Sequence, residues 1–335
     1  MSHYVITPSF FNIRFFIFTS NSVQCQDLED RHIEIAGRSK FNELLNRDNS
    51  TQKIIGGLFA SDLEAPYYVR LVSCEIDNPN HSSCQTCGGS WISDTDILSA
   101  GHCVSRDDKH VFYYLNPDDN SLVNEPSGKV SSWKHHECWD HRTTLVYADG
   151  YDIMILRVEG ANFKDPVRLA TSEEYQRLRF SNHPSDEYFV SYGFGNTGLS
   201  PFSTMPASLK KTFETQYFRC DLLNTFNNRP DIMCYETVNS HTIFTGDSGG
   251  PRVQNGIQYG IHSGFYWPNQ LFAMQNSGSC ITCGMNSVFT DDGNGGYSLA
   301  GGVSVDTAIG NYYTWIRGNS NYNPNGVFFG EEGIT

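Results

Sequence analysis

The chain has no basic run, and its 23 Lys and Arg are outnumbered by 37 Asp and Glu, leaving a formal charge of -14. That balance excludes nucleic acid and an anionic membrane surface as main partners, because both are bound through clustered cations. Long hydrophobic runs are lacking too. The aromatic stretch Phe10-Phe11-Asn12-Ile13-Arg14-Phe15-Phe16-Ile17-Phe18 falls short of the roughly 20 residues that span a bilayer, so no membrane insertion is expected. A zinc reading would need histidines at ligand spacing near the cysteines, and His102, beside Cys103, has another reading. Neither a metal nor another cofactor is expected.

Cysteine, by contrast, is plentiful: ten in 335 residues, several at short spacing, suit an oxidising compartment. Residues 1–22 are read as a secretion signal, because the aromatic stretch lies where one would and the cysteines require a secretory route. Cleavage after Ser22 leaves all ten cysteines in the mature chain, whereas cleavage after Cys25 would strand one thiol. Arg14 in the middle of the stretch makes it a poor signal core, and the competing readings are a mis-assigned start or an ordinary buried strand. The polar, charged residues 23–53 read as a propeptide.

From Ile54 the pattern is all-β. Short runs rich in Val, Ile, Tyr and Phe recur between Asn, Asp, Gly and Pro turns. They lie at Tyr67 to Val72, Trp91 to Ser93, His110 to Leu115, Val130 to Trp133 and Ile153 to Val158. The second half repeats them at Glu187 to Tyr192, Leu209 to Tyr217, Ile232 to Tyr235, Arg252 to Gln254, Ile257 to Ser263 and Ser287 to Thr290. Asp306 to Ile316 reads as a helix with Ile309, Tyr312, Tyr313 and Ile316 along one side. Residues 319–335, rich in Asn and Gly, read as a flexible tail.

Three short motifs carry chemistry. In Gly246-Asp247-Ser248-Gly249-Gly250-Pro251 a serine between glycines can sit on a tight turn with its hydroxyl clear. There the backbone N–H groups of Gly246 and Ser248 can converge on one oxyanion. Upstream stand Ser99-Ala100-Gly101-His102-Cys103 and Asp152-Ile153-Met154-Ile155-Leu156. In this order the motifs resemble the chymotrypsin/trypsin family of serine endopeptidases, over roughly Ile54 to Arg317. The resemblance implies two six-stranded antiparallel β-barrels, about 54–169 and about 170–318, with the active site in the cleft between them. It implies His102 as base, Asp152 as its orienting carboxylate and Ser248 as nucleophile. Asp152 is preferred to Asp149 because it directly precedes an apolar strand, as the family aspartate does. His135, His136 and His141 lie in a polar stretch and read as solvated.

The same resemblance makes Lys53 an activation site. Cutting after it would free an ammonium on Ile54, which can pair with Asp247 and shape the backbone beside Ser248. It implies the disulfides Cys87–Cys103 and Cys220–Cys234, with Cys74–Cys84 and Cys280–Cys283 as local pairs and Cys25–Cys138 tethering the propeptide. A redox reading of Cys280-Ile281-Thr282-Cys283 lacks a βαβ context.

Departures from the family pattern cluster at the substrate pocket. Phe244 stands where a cysteine is usual, and Thr242 where trypsin-like members carry aspartate. Without that carboxylate an Arg or Lys side chain would be buried unpaired, so basic substrates are disfavoured. In Ser263-Gly264-Phe265, Phe265 replaces a glycine, and Ser287 occupies a second glycine position. Both narrow the pocket towards small or medium uncharged residues. His262, beside it, reads as a core histidine. Asn49 and Asn80 head glycosylation sequons. The expectation is a secreted, zymogen-activated serine endopeptidase. Its partners would be protein or peptide substrates, an activating trypsin-like protease and protein inhibitors. The rival is a non-proteolytic homologue acting as a binding or regulatory protein.

Overall fold

The computed structural model describes residues 58–61, 63–80, 82–105, 108, 110–115, 125–140, 151–180, 189–195, 209–214, 216–218, 229–236, 243, 245–266, 289–291, 297–299 and 303–329. Strand β1 (Leu58–Phe59) is followed by β2 (Tyr68–Cys74), β3 (Gln85–Trp91), β4 (Asp96–Ser99), β5 (His110–Tyr114), β6 (Gly128–Lys129), β7 (Ser132–His135) and β8 (Met154–Arg157). Then come β9 (Arg168–Leu169), helix α1 (Ser172–Phe180), β10 (Phe189–Gly193), β11 (Lys210–Glu214), β12 (Gln216–Phe218) and β13 (Ile232–Glu236). The remainder is β14 (Pro251–Gln254), β15 (Ile257–Tyr266), a hairpin of β16 (Phe289–Asp291) and β17 (Tyr297–Leu299), β18 (Val303–Ala308) and helix α2 (Ile309–Asn319).

These strands form two large sheets. The first has seven strands in the order β6-β5-β2-β3-β4-β8-β7. The second has nine, in the order β1-β11-β10-β14-β15-β18-β13-β12, with β9 added in parallel to β15. The architecture is the expected all-β pair with a C-terminal helix, and short strands such as β1, β6 and β9 raise the counts above six and six. The first core is built from apolar strand residues such as Val69, Leu71, Ile97 and Leu98, all buried on strands that are covered along their whole length. Trp91 stacks on Phe163 at 5.0 Å and meets Tyr113 edge-on at 5.7 Å.

Strand β3 begins at Gln85 rather than at Trp91, and Gly88 and Gly89 within it are what hide it from a propensity reading. A Cβ on Gly88 would stand 2.9 Å from the Gly250 Cα, so the missing side chain is what lets the second half of the chain lie against β3. The Asp306-to-Ile316 expectation is corrected at its start: residues 303–308 pair with β13 and β15, and the helix opens at Ile309. Its Ile309, Tyr312 and Ile316 are buried as the spacing requires. Residues 320–329 are not a loose tail. Tyr322 and Phe328 are buried in the core, the Tyr322 hydroxyl accepts the Leu169 N–H at 3.0 Å, and the Asn321 N–H reaches Asp96 at 2.6 Å.

Candidate active site

Disulfide Cys87–Cys103 pins the 3-10 turn Gly101–Cys103, which carries His102, to β3. Asp152 lies fully buried at the entry to β8. Tyr151 before it has a φ of 60°, a left-handed conformation held because the Tyr312 hydroxyl takes its N–H at 2.9 Å. The Ile153 N–H then returns to the Tyr151 carbonyl at 2.8 Å, so Asp152 is the apex of a three-residue turn. Strain kept beside a functional carboxylate fixes where that carboxylate points.

Four donors hold Asp152. His102 gives its backbone N–H to Oδ1 at 2.9 Å and its Nδ1–H to Oδ2 at 2.8 Å. The Ser263 hydroxyl also donates to Oδ2, and the Thr307 hydroxyl takes the Asp152 carbonyl at 2.9 Å. Burial alone pushes the His102 pKa down, but the charge and hydrogen bond of Asp152 outweigh it and the net shift is upward. With Nδ1–H committed to Asp152, Nε2 carries the lone pair of the neutral ring, as a general base needs.

Ser248 occupies a turn whose φ values at Gly246 (+100°) and Gly249 (+79°) suit glycine. Its carbonyl accepts the Gly88 N–H at 2.7 Å, while the Gly249 N–H reaches the His262 carbonyl at 2.7 Å. The turn is thereby clamped between β3 of one sheet and β15 of the other. Asp247 is buried and accepts the Gly195 N–H at 2.6 Å; Lys53 and Ile54 lie outside the described residues.

Other sequence-based expectations meet different fates. Ser263, expected to line the pocket, donates its hydroxyl to Asp152. Gly264 and Phe265 follow it along β15 after an irregularity in the register with β18, and both are partly exposed. Thr242, Phe244 and Ser287 lie outside the described residues. His135 and His136 are not simply solvated. The His135 Nε2–H donates to the Gly101 and Val104 carbonyls, each at 3.0 Å, bracing the His102 turn, and His136 stacks on Tyr151 at 4.9 Å. His141 is outside the described residues.

Cys74–Cys84 is closed, and Cys138 and Cys234 are bonded as well; Cys25, Cys220, Cys280 and Cys283 lie outside the described residues. Cys87, His102 and Cys103 come within 4.8 Å of one another, but the two sulfurs are joined, so no thiolate pair is offered to a metal. No helix among the described residues is long and apolar enough to cross a membrane.

The comparisons point one way. The family model described as Trypsin matches residues 54–271. The chain is 24% identical to a rat (Rattus norvegicus) chymase, over 68% of this chain and 86% of the relative. It is 24% identical to trypsin delta of Drosophila erecta, over 63% and 78%, and to a bovine (Bos taurus) chymotrypsin-like elastase family member 1, over 66% and 84%. Its fold matches the solved structure of neuropsin, described as a serine protease expressed in the limbic system of mouse brain. That match has a TM-score of 0.53 at 21% identity and covers 79% of this chain and 99% of the other.

Proposed function

Because the chain belongs to the trypsin family of serine proteases, we propose that it hydrolyses peptide bonds through an acyl-enzyme on Ser248. The observation that carries this reading is the His102–Asp152 contact at 2.8 Å, with the carboxylate fixed by donors from the His102 backbone and Ser263. In this mechanism the Ser248 hydroxyl attacks the scissile carbonyl and His102 Nε2 takes its proton. Asp152 stabilises the imidazolium, and the N–H groups of Gly246 and Ser248 receive the oxyanion. His102 returns the proton to the leaving amine; water then repeats the sequence and frees the acid.

We extend the proposal to the chain's processing. Residues 1–22 act as a secretion signal, 23–53 as a propeptide, and 54–318 as the peptidase domain. Cleavage after Lys53 by a trypsin-like protease frees an ammonium on Ile54 to pair with Asp247, whose buried carboxylate accepts the Gly195 N–H. Cys25–Cys138 and Cys220–Cys234 complete the disulfides at Cys138 and Cys234. Asn80, exposed on a loop, is a site for glycosylation, as is Asn49. Basic residues before the scissile bond are disfavoured by Thr242, and the active enzyme is open to protein inhibitors. Among the described residues no feature of the site favours the non-proteolytic alternative.

The test is labelling with a fluorophosphonate before and after trypsin treatment, on wild type and Ser248→Ala. Labelling that follows cleavage after Lys53 and is lost in the variant is the expected result. A free Ile54 terminus with an unlabelled wild type would overturn the reading.

A further inference from the structure

Strands β14, β15 and β18 hold a second charged cluster, which acyl transfer leaves unused. Arg252 donates through Nε to Asp306 Oδ2, and through Nη2 to Asp306 Oδ1 at 3.2 Å and to the Ser304 hydroxyl at 3.1 Å. Its guanidinium lies 3.8 Å over the Tyr235 ring. On the other side of Asp306, His262 Nδ1 stands 3.2 Å from Oδ1, and the side chains of Arg252, Asp306 and His262 are all 0% exposed. His262 Nε2 is buried without a hydrogen-bond partner. A buried polar atom left in that state is unfavourable, and here a ligand can supply what the protein does not.

The place of that nitrogen says which ligand. The His262 carbonyl and N–H bond the backbone of Gly249 and Gly250 at 2.7 and 2.9 Å. Its Cδ2, the ring carbon bonded to Nε2, lies 3.1 Å from the position of a Cβ on Gly250, so the open edge of the ring faces the turn that carries Ser248. Arg252 and Asp306 cancel each other's charge, so the imidazole decides the sign of the cluster. Since Asp306 holds Nδ1–H, a proton gained goes to Nε2 and gives an N–H donor with one net positive charge. An arriving cation finds no spare carboxylate, and a neutral amide gains no charge interaction. An anion gains both the hydrogen bond and the charge.

We propose that His262, backed by Asp306 and Arg252, is the specificity-determining contact for the substrate side chain next to the scissile bond, and that this side chain is a carboxylate, glutamate or aspartate. The inference rests on the protease reading and replaces the sequence-based expectation of an uncharged residue. In the full chain His262 is closed off. The turn packed on it is the one that carries Ser248, so a carboxylate reaches Nε2 where that turn shifts. The imidazole takes up a proton from solvent as the carboxylate enters.

The test uses the full chain activated by trypsin, with active sites counted by fluorophosphonate labelling, and peptides differing only in the residue before the scissile bond: Glu, Asp, Gln, Ala, Phe or Arg. The expected kcat/KM for Glu or Asp exceeds that for Gln by roughly a hundredfold or more. The ratio falls as pH rises. The charged groups facing His262 are Arg252 from β14 and Asp306 from β18, with the His102–Asp152 pair beyond Ser263. Titration of His102 acts on both substrates alike and cancels in the ratio. His262→Gln is expected to bring Glu and Gln to within about tenfold. Equal rates for Glu and Gln, or a preference for Ala or Phe, in an enzyme that labels would overturn the inference and assign Nε2 to an internal water. An unlabelled enzyme would instead overturn the protease reading beneath it.

Discussion

His102 meets Asp152 at 2.8 Å beside the first sheet, and His262 meets Asp306 at 3.2 Å within the second. The groups are the same, but their surroundings differ in two respects. His102 keeps 15% of its side chain exposed, and Asp152 takes only neutral donors besides it. His262 is sealed in, and Asp306 already answers the Arg252 guanidinium. The His102 pKa therefore rises, because the charge of Asp152 outweighs burial. That of His262 falls, because burial outweighs Asp306 and Arg252 pushes the same way. Asp306 is itself held down to about 2: burial works against its charge, but Arg252 and His262 more than offset it. A carboxylate neutralised by arginine cannot hold a proton on histidine as an unshared one can. One pair is thus built to accept a proton from a nucleophile, the other to stay neutral until an anion arrives.

The largest effect breaks the first pair alone. Asp152→Asn keeps the size of the side chain but can hold the wrong His102 tautomer, so turnover of the activated enzyme should fall on the order of 10⁴-fold. Asp306→Asn should leave the His102 pair and its role as base in place. A drop of less than tenfold in the Asp152 variant, measured by steady-state peptide hydrolysis, would mean that the two pairs are not functionally distinct.

Next in size is loss of the arginine. Arg252→Met leaves the buried Asp306 charge without its main partner, and equilibrium unfolding in guanidinium should show a loss of about 3–5 kcal/mol. The double variant Arg252→Met/Asp306→Leu should recover part of that loss, because no lone charge remains buried. A single variant within 1 kcal/mol of wild type, an outcome below the range for a broken buried pair, would show that His262 alone can balance Asp306.

The first pair was legible in the sequence and the second was not, for a physical reason. His102, Asp152 and Ser248 each sit in a contiguous motif, so local spacing announces them. The partners that make Asp306 and His262 notable come from Arg252, 54 positions from Asp306, and from sheet register, which no local window contains. The same blindness placed Asp306 in a helix, where apolar spacing continued smoothly, although cross-strand pairing ends the strand only at Ala308. The tie of Ser263 to Asp152 spans 111 positions and is likewise invisible to a local window. Helix α1 is different, since its signal was present. Thr171 and Glu174 form a capping box, with the Thr171 N–H on the Glu174 carboxylate at 2.9 Å and the Glu174 N–H on the Thr171 hydroxyl at 3.2 Å. Residues 320–329 misled by composition: between their asparagines, Tyr322 and Phe328 are enough to anchor the segment.

A smaller effect probes the turn that both pairs touch. At Gly249, φ is +79° and a Cβ would lie 2.2 Å from the Ser99 hydroxyl and 2.5 Å from the Gly88 carbonyl oxygen. Gly160 has nearly the same φ, +78°, with nothing within 4 Å. Gly160→Ala should therefore cost only the left-handed penalty, about 1–2 kcal/mol. Gly249→Ala should cost more and slow fluorophosphonate labelling, since backbone must move. Equal losses in the two variants would show that the turn yields freely and is not clamped between the sheets.

The smallest effect, visible by NMR of the imidazole rings, separates the histidines by the direction of their titration. His102 should titrate above the ordinary value of about 6.5 and His262 below it. The linkage signs are opposite. A raised pKa means that His102 contributes stability present below about pH 6.5 and lost as pH rises through its folded value. A lowered pKa means that the contribution of His262 is present above about pH 6.5 and lost as pH falls through its folded value. Since the proposed base must be neutral, kcat/KM for an uncharged peptide should rise with pH through the His102 value. A carboxylate ligand in the pocket should move the His262 titration upward, towards that of its counterpart. Two histidines titrating together in the unliganded protein would mean that Arg252 does not set the second pair apart.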